Sequence, residues 1–261
     1  MEKEYQNLVK KFMKISNKRW LKGISNHFNA VGLTFEEQLG KKADSMFFPD
    51  YYGIEIKCTS RFSGYPVVLF SSSFDGPSLY ETNRLLNLYG IQDEKYTDRK
   101  IIMSNLKYNK NVLVNDKYFF KITISDEEQK LYLEIYDLFN NLIEKQSFIT
   151  FETLKTKLEI KLSNLALVYA SKKMDNGHPY FRYYKINIYK LKSFKTFIEL
   201  IKNGTITLSI LCRVSRSGLE EGRQRNKNIL FGIYKKNINK LFNLIVSHDN
   251  DTSDNFQIFN I

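Results

Sequence analysis

The sequence predicts a mixed α/β protein. Three observations lead there. Apolar residues recur at helical spacing in some segments and in strict alternation in others, and the two kinds of segment are interspersed along the chain. A hydrophobic content of 43% over 261 residues is enough for a real core, so disorder of the whole chain is excluded. No stretch rich in Pro, Gly or Ser divides the chain and no internal repeat is present, which predicts one large domain, or a domain with a substantial lobe.

Residues 2–15 place Tyr5, Leu8, Val9, Phe12 and Ile15 at helical spacing among Lys and Glu, the pattern of an amphipathic helix with its lysines on the solvated face. Lys18, Arg19 and Lys22 then surround Trp20, the only tryptophan. This basic cluster offers contacts to phosphate, while the tryptophan itself is expected to close the core. Thr34 is expected to cap a short helix, with Glu37 completing a capping box three residues later. Glu36 and Glu37 lie about 100° apart around such a helix, so both cannot face one site. If Glu37 serves the cap, Glu36 is left for another purpose; equally, both are first-turn acids favoured by the helix dipole.

Residues 48–59 read Phe-Pro-Asp-Tyr-Tyr-Gly-Ile-Glu-Ile-Lys-Cys-Thr, a turn at Gly53 followed by a strand. Residues 66–72 form a buried strand, expected to pair with it as a hairpin through a Ser-Gly turn. A helix over 78–89 ends at Gly90, and strands follow at 101–106, 118–124 and 130–136. Residues 151–158 are a short helix. A long strand over 162–173, a turn at Asp175-Asn176-Gly177 and an answering strand over 180–189 come next. Ser193 caps a helix that runs to Ile201 and stops at Asn203-Gly204. Residues 205–214 alternate as a strand, a loop covers 215–222, and a basic segment leads into the apolar run 229–233. The tail from Val246 is polar and expected to fray.

Lys and Arg number 40 against 28 Asp and Glu, a net charge of +12, which favours a polyanionic partner through counterion release and steering. With 17 Tyr and 20 Phe interleaved among them, these charges belong to a folded binding surface rather than a tail. The two cysteines, Cys58 and Cys212, are too few for a disulfide scaffold and have no zinc-ligand spacing, so a reducing, cytoplasmic setting is expected. No apolar run approaches the roughly 20 residues that span a bilayer, and the amino terminus has no signal-peptide pattern.

The chemistry concentrates in residues 50–57. Side chains alternate along a strand, so Glu55 and Lys57 share one face while Ile54 and Ile56 share the other. Asp50 comes within reach of the same face, and two carboxylates with an ammonium describe a divalent-metal site that handles phosphate. The spacing alone is weak, since a surface strand with a Glu–Lys pair has the same pattern. Pro49, Gly53 and the further acid on the short helix are what that plainer reading leaves unexplained. His27, His178 and His248 are scattered, which disfavours a zinc or histidine-based nuclease, and there is no phosphate-binding glycine loop or serine elbow. The second concentration is Arg213, Arg216, Arg223, Gln224, Arg225, Asn226 and Lys227 on one hairpin. Arg, Asn and Gln can contact base edges in pairs of hydrogen bonds, although most basic loops touch only phosphate or solvent.

The segments Gly-Leu-Thr-Phe-Glu-Glu-Gln-Leu-Gly, Pro-Asp-Tyr-Tyr-Gly-Ile-Glu-Ile-Lys and Val-Leu-Phe-Ser resemble the MvaI/BcnI family of type II restriction endonucleases and their relative MutH, all of the PD-(D/E)xK fold. The resemblance continues through residues 78–90, 165–173 and 193–213. It implies a restriction-endonuclease-like core, a mixed sheet flanked by helices, bilobed around a DNA cleft. The catalytic part would cover about 1–125 and the recognition part about 126–261, with the boundary open. By position, the family's helix glutamate falls on Glu36 and its metal-binding acids on Asp50 and Glu55, joined by the backbone carbonyl of Ile56. Its catalytic lysine falls on Lys57.

The implied activity is Mg²⁺-dependent hydrolysis of double-stranded DNA at a specific sequence, with Mn²⁺ able to substitute, leaving 5′-phosphate and 3′-hydroxyl ends. A monomer is implied, with a dimer as the alternative, and a companion methyltransferase acting on the same site. Where those enzymes carry a His-rich segment, this chain has Gly222-Arg223-Gln224-Arg225-Asn226-Lys227-Asn228, so the target sequence does not carry over. Two rivals are a MutH-type strand-nicking repair enzyme and a DNA-binding module without activity.

Overall fold

A computed structural model describes residues 1–27, 29–40, 48–60, 63–216, 218, 220–225, 228–250 and 256–258, with backbone alone for 225 and 256–258. Helix α1 (Glu2–Ser16) buries Tyr5, Leu8, Val9, Phe12 and Ile15, as its spacing predicts. Strand β1 (Leu21–Lys22) leads to α2 (Ala30–Gln38), whose N-cap is Asn29. Thr34 therefore lies inside the helix, where its hydroxyl accepts from the Ile24 amide at 3.2 Å, and the expected capping box does not form. Burial of Ala30 and Phe35 in one core draws the helix back by a turn beyond what the local capping signal indicated.

Strands β2 (Glu55–Ser60) and β3 (Val67–Ser72) precede α3 (Glu81–Tyr89). A run of strands follows: β4 (Ile91–Gln92), β5 (Lys100–Leu106), β6 (Val112–Val114), β7 (Tyr118–Ser125), β8 (Lys130–Tyr136) and β9 (Leu142–Thr150). Next come α4 (Phe151–Leu162), β10 (Asn164–Asp175), β11 (His178–Leu191) and α5 (Phe194–Lys202). Strands β12 (Ile206–Val214), β13 (Gln224–Arg225) and β14 (Ile229–Ile233) precede a 3₁₀ turn, α6 (Ile238–Leu241), β15 (Phe242–Asp249) and β16 (Phe256–Ile258). Of the tail expected to fray, residues 246–249 belong to β15, which pairs with β11 and buries Val246, and Phe256–Ile258 form β16; residues 251–255 and 259–261 lie outside the described residues. Among the described residues no helix is long and apolar enough to cross a membrane.

The chain forms two compact units that interleave along the sequence. One comprises Met1–Val67, Glu159–Lys192 and Ile238–Ile261; the other comprises Val68–Leu158 and Ser193–Asn237. The sheet of the first unit runs β16-β15-β11-β10-β2, with β1 on β11. Its β2 pairs in parallel with β10, Glu55 beside Leu165 and Lys57 beside Leu167. The expected hairpin of β2 with β3 is not formed, since β3 joins a different sheet, β3-β14-β12-β5-β4. Parallel neighbours require a crossover, and here the chain returns only after α4. One face of the first sheet buries Ile56, Ala166, Val168, Tyr183 and Ile188 against α1 and α2.

The second unit also holds a four-stranded sheet, β6-β7-β8-β9, and in its core Phe70 stacks on Phe231 while Phe197 lies tilted against both rings. Ser193 caps α5 as expected, accepting from the Thr196 amide at 3.0 Å. Strand β9 escaped the sequence reading because Leu142 and Ile143 are exposed and its alternation is poor.

Candidate functional site

A two-residue turn sets the site. Tyr52 (φ 44°) and Gly53 (φ 81°) both adopt left-handed backbone, and Tyr51 and Ile54 exchange amide–carbonyl bonds of 2.9 and 2.8 Å across them. Glycine takes this conformation without strain. The reversal brings Asp50 back over the start of β2, where its Oδ2 accepts from the Ile56 amide at 3.0 Å. Asn164 at the start of β10 ties the turn down, donating to the Gly53 carbonyl at 3.1 Å.

Ile54 and Ile56 enter the core, so strand alternation forces Glu55 and Lys57 onto the other face. Glu55 is nonetheless only 1% exposed. Its Oε1 accepts from the Lys57 ammonium at 2.5 Å and lies 3.5 Å from the Lys161 ammonium. Its Oε2 is buried with no hydrogen-bond partner among the described residues. An unsatisfied buried acceptor costs about 1–3 kcal/mol, so it marks a place shaped for something other than stability. Burial pushes the Glu55 carboxyl above its ordinary range and the charge of Asp50 adds to this, against the pull of Lys57.

These residues fit a hard divalent cation. Two carboxylates and an adjoining backbone carbonyl are oxygen donors, and a Mg²⁺ ion ordinarily takes one or two carboxylates and keeps its other positions for water and phosphate oxygens. Among the described residues no group of three or more His, Cys, Asp and Glu side chains forms a closed cage. The donor set at Asp50 and Glu55 is of the open kind.

Glu36 is half-buried and Glu37 exposed, so α2 turns Glu36 inward, although the cap that first distinguished the two is absent. Burial, followed by the charge of Glu36, raises the thiol of Cys58, which adjoins Lys57 on β2. The same carboxylate bears on Tyr183. Sequence reasoning missed Lys161. It stands near the end of α4, about a hundred positions after Lys57 in the sequence, and only the parallel pairing of β10 with β2 brings that helix end to Glu55.

The basic hairpin is β12, β13 and the loop between them, with Arg213 opposite Arg225. Arg213 is exposed, and Gln224 sits beside it, its side-chain amide 3.4 Å from the Arg213 carbonyl. Arg216 is held in a two-pronged ion pair by the buried Asp93, at 2.7 and 2.6 Å. Arg223 pairs with Glu220 at 2.7 Å. Glu221 accepts from Lys95 and from the Tyr96 hydroxyl at 2.6 and 2.8 Å, so the loop is laced to residues 93–96. The Arg225 side chain, Asn226 and Lys227 lie outside the described residues.

The profile of the MvaI/BcnI restriction endonuclease family matches residues 9–242. Comparison with curated protein sequences gives no match. Among solved structures, restriction endonuclease MvaI in complex with its cognate DNA is 27% identical, covers 92% of this chain and 97% of its own, and superposes with a TM-score of 0.86. MvaI in the absence of DNA is 26% identical over 94% of this chain and 97% of its own, with a TM-score of 0.58. The architecture is therefore that of the MvaI endonuclease fold. With the turn-and-strand site and this match across most of its length, the chain belongs to the MvaI/BcnI restriction endonuclease family, a family of DNA endonucleases.

Proposed function

We propose that the protein is a site-specific type II restriction endonuclease that hydrolyses double-stranded DNA with Mg²⁺ and leaves 5′-phosphate and 3′-hydroxyl ends. The observation that carries this is the buried Glu55, one oxygen held by Lys57 and the other unpartnered, with Asp50 anchored beside it. Asp50, Glu55 and the Ile56 carbonyl would hold the cation. When bound, Mg²⁺ supplies positive charge against the scissile phosphate and the departing oxygen. Lys57 positions the attacking water and, in its neutral form, takes part in removing its proton; water oxygen joins phosphorus, and the bond from phosphorus to the 3′ oxygen breaks as that oxygen takes a proton from solvent. Glu36 orients the lysine side of the site, and Mn²⁺ can replace Mg²⁺. The exposed Arg213 and the residues around it read the target, the protein acts as a cytoplasmic monomer, and a companion methyltransferase protects the host site.

Plasmid cleavage in Mg²⁺, with the fragment ends sequenced, tests the activity, target and cut position together. Asp50→Ala and Lys57→Ala should each lose at least about a hundredfold in rate, the usual worth of a positioned acid–base group. Full activity in either variant removes that residue from the mechanism. Nicking that needs a second protein would instead place the chain with the strand-nicking enzymes.

A further inference from the structure

The strand registers put a second set of residues on the face that carries Lys57. Lys57 lies beside Leu167, and along β10 the same face continues through Tyr169 and Ser171 to Lys173. Across to β11, Ser171 is opposite Arg182 and Lys173 is opposite Tyr180. From β11 to β1, Tyr180 is opposite Lys22. The reverse face is the one buried on α1 and α2, so these positions share the catalytic side.

Toward its outer end this face opens to solvent. Lys22 and Lys173 are exposed, and Trp20, expected to close the core, is instead 37% exposed. The reason is its place just before β1, at the outer end of β11, with its ring under Lys173. The Lys173 ammonium stands 4.9 Å from the centre of the Trp20 ring and 5.6 Å from that of Tyr180. Two rings steady a flexible lysine at the surface and lower the entropy lost when it meets an anion. Gly23 allows the approach, since a Cβ there would come within 2.9 Å of Pro179 and 3.0 Å of Phe181.

We propose that Lys22, Lys173 and Arg182, on the platform of Trp20 and Tyr180, form a track for backbone phosphates of duplex DNA flanking the target. Six residues of β10 separate Leu167 from Lys173, about 20 Å at about 3.3 Å per residue. At about 3.4 Å per base pair this is about six base pairs from the cut phosphate, beyond a short recognition sequence. The track carries no sequence information; it adds length-dependent and salt-dependent affinity. This inference rests on the nuclease reading above.

The test is binding, with Ca²⁺ in place of Mg²⁺, to duplexes centred on the site recovered from plasmid ends and carrying flanks of about 20 or about 2 base pairs. Lys22→Ala with Lys173→Ala should flatten the plot of log affinity against log salt by about 2 on the long duplex, at about 0.9 per phosphate, and leave the short duplex unchanged. Lys22→Gln with Lys173→Gln, which keeps most of each stem, should give the same result. An unchanged slope on the long duplex overturns the track, as does an equal loss on the short one. Failure of the unaltered protein to bind either duplex overturns the nuclease reading and the track together.

Discussion

Two buried glutamates on strands, each facing lysines, differ in one respect. Glu134 on β8 accepts from Tyr136 at 2.6 Å and Thr123 at 2.8 Å, and pairs with Lys121 at 3.0 Å and Lys145 at 3.2 Å. Burial opposes its charge, yet these four donors bring its carboxyl down to about 2. Glu55 on β2 has Lys57 and Lys161 on one oxygen and, among the described residues, no partner on the other, and burial drives its carboxyl upward. A saturated carboxylate serves the fold; a half-satisfied one keeps a lone pair for something that comes from outside. The contrast sets a saturated ion cluster against the half-satisfied one that the proposed mechanism uses.

Amide replacement should affect the two positions in opposite ways. Glu55→Gln should reduce cleavage at least about a hundredfold while leaving the thermal melting midpoint within a few degrees of the parent, since no saturated network is lost. Glu134→Gln should leave the cleavage rate of the folded enzyme close to the parent and lower stability by about 2 kcal/mol. A large stability loss at Glu55 with none at Glu134 would reverse the assignment.

A carboxyl held at about 2 when folded contributes stability above its ordinary range near 4.5, and that contribution disappears as pH falls from there toward about 2. The gap in denaturant midpoint between the parent and Glu134→Gln should therefore close over that window. A gap that stays constant would mean that Glu134 does not hold its charge through this network.

A smaller effect is expected at Asp93, which holds Arg216 from below and also accepts from the Lys95 and Tyr96 amides at 3.0 and 2.9 Å. Asp93→Asn should loosen the loop and lower discrimination between the target and single-base variants by about tenfold, the worth of one charged hydrogen bond, with the rate at the target less affected. Competitive cleavage of the two sequences measures this. Equal losses on both would make Asp93 a contributor to stability alone. The smallest change is Gly53→Ala, which must take φ 81° with a side chain and should cost about 1 kcal/mol in thermal unfolding.

Much of the candidate site on β2 was legible because its logic is local. Pro49, Asp50, the Tyr52-Gly53 reversal and the alternation of Ile54 to Lys57 all act within a few residues, and the turn geometry follows from the backbone freedom of Gly53. The Ser193 cap and the Asn176-Gly177 turn were readable for the same reason. Thr34 was misread because a capping box is a local signal that lost to burial of Ala30. Trp20 was misread because hydrophobic size says nothing about which end of a sheet a residue reaches.

By itself, then, the sequence determined the alternation that separates Glu55 and Lys57 from the core, the reversal that returns Asp50, and the excess of positive charge. The tertiary structure alone decided that β2 lies between no hairpin partner and a parallel neighbour from beyond residue 160, and so that Lys161 meets Glu55. It also decided that Lys22 and Lys173 share the face of Lys57. Turns and strand alternation are set by neighbours in the chain, whereas parallel pairing is set by the burial of whole faces, and no short window of residues carries that information.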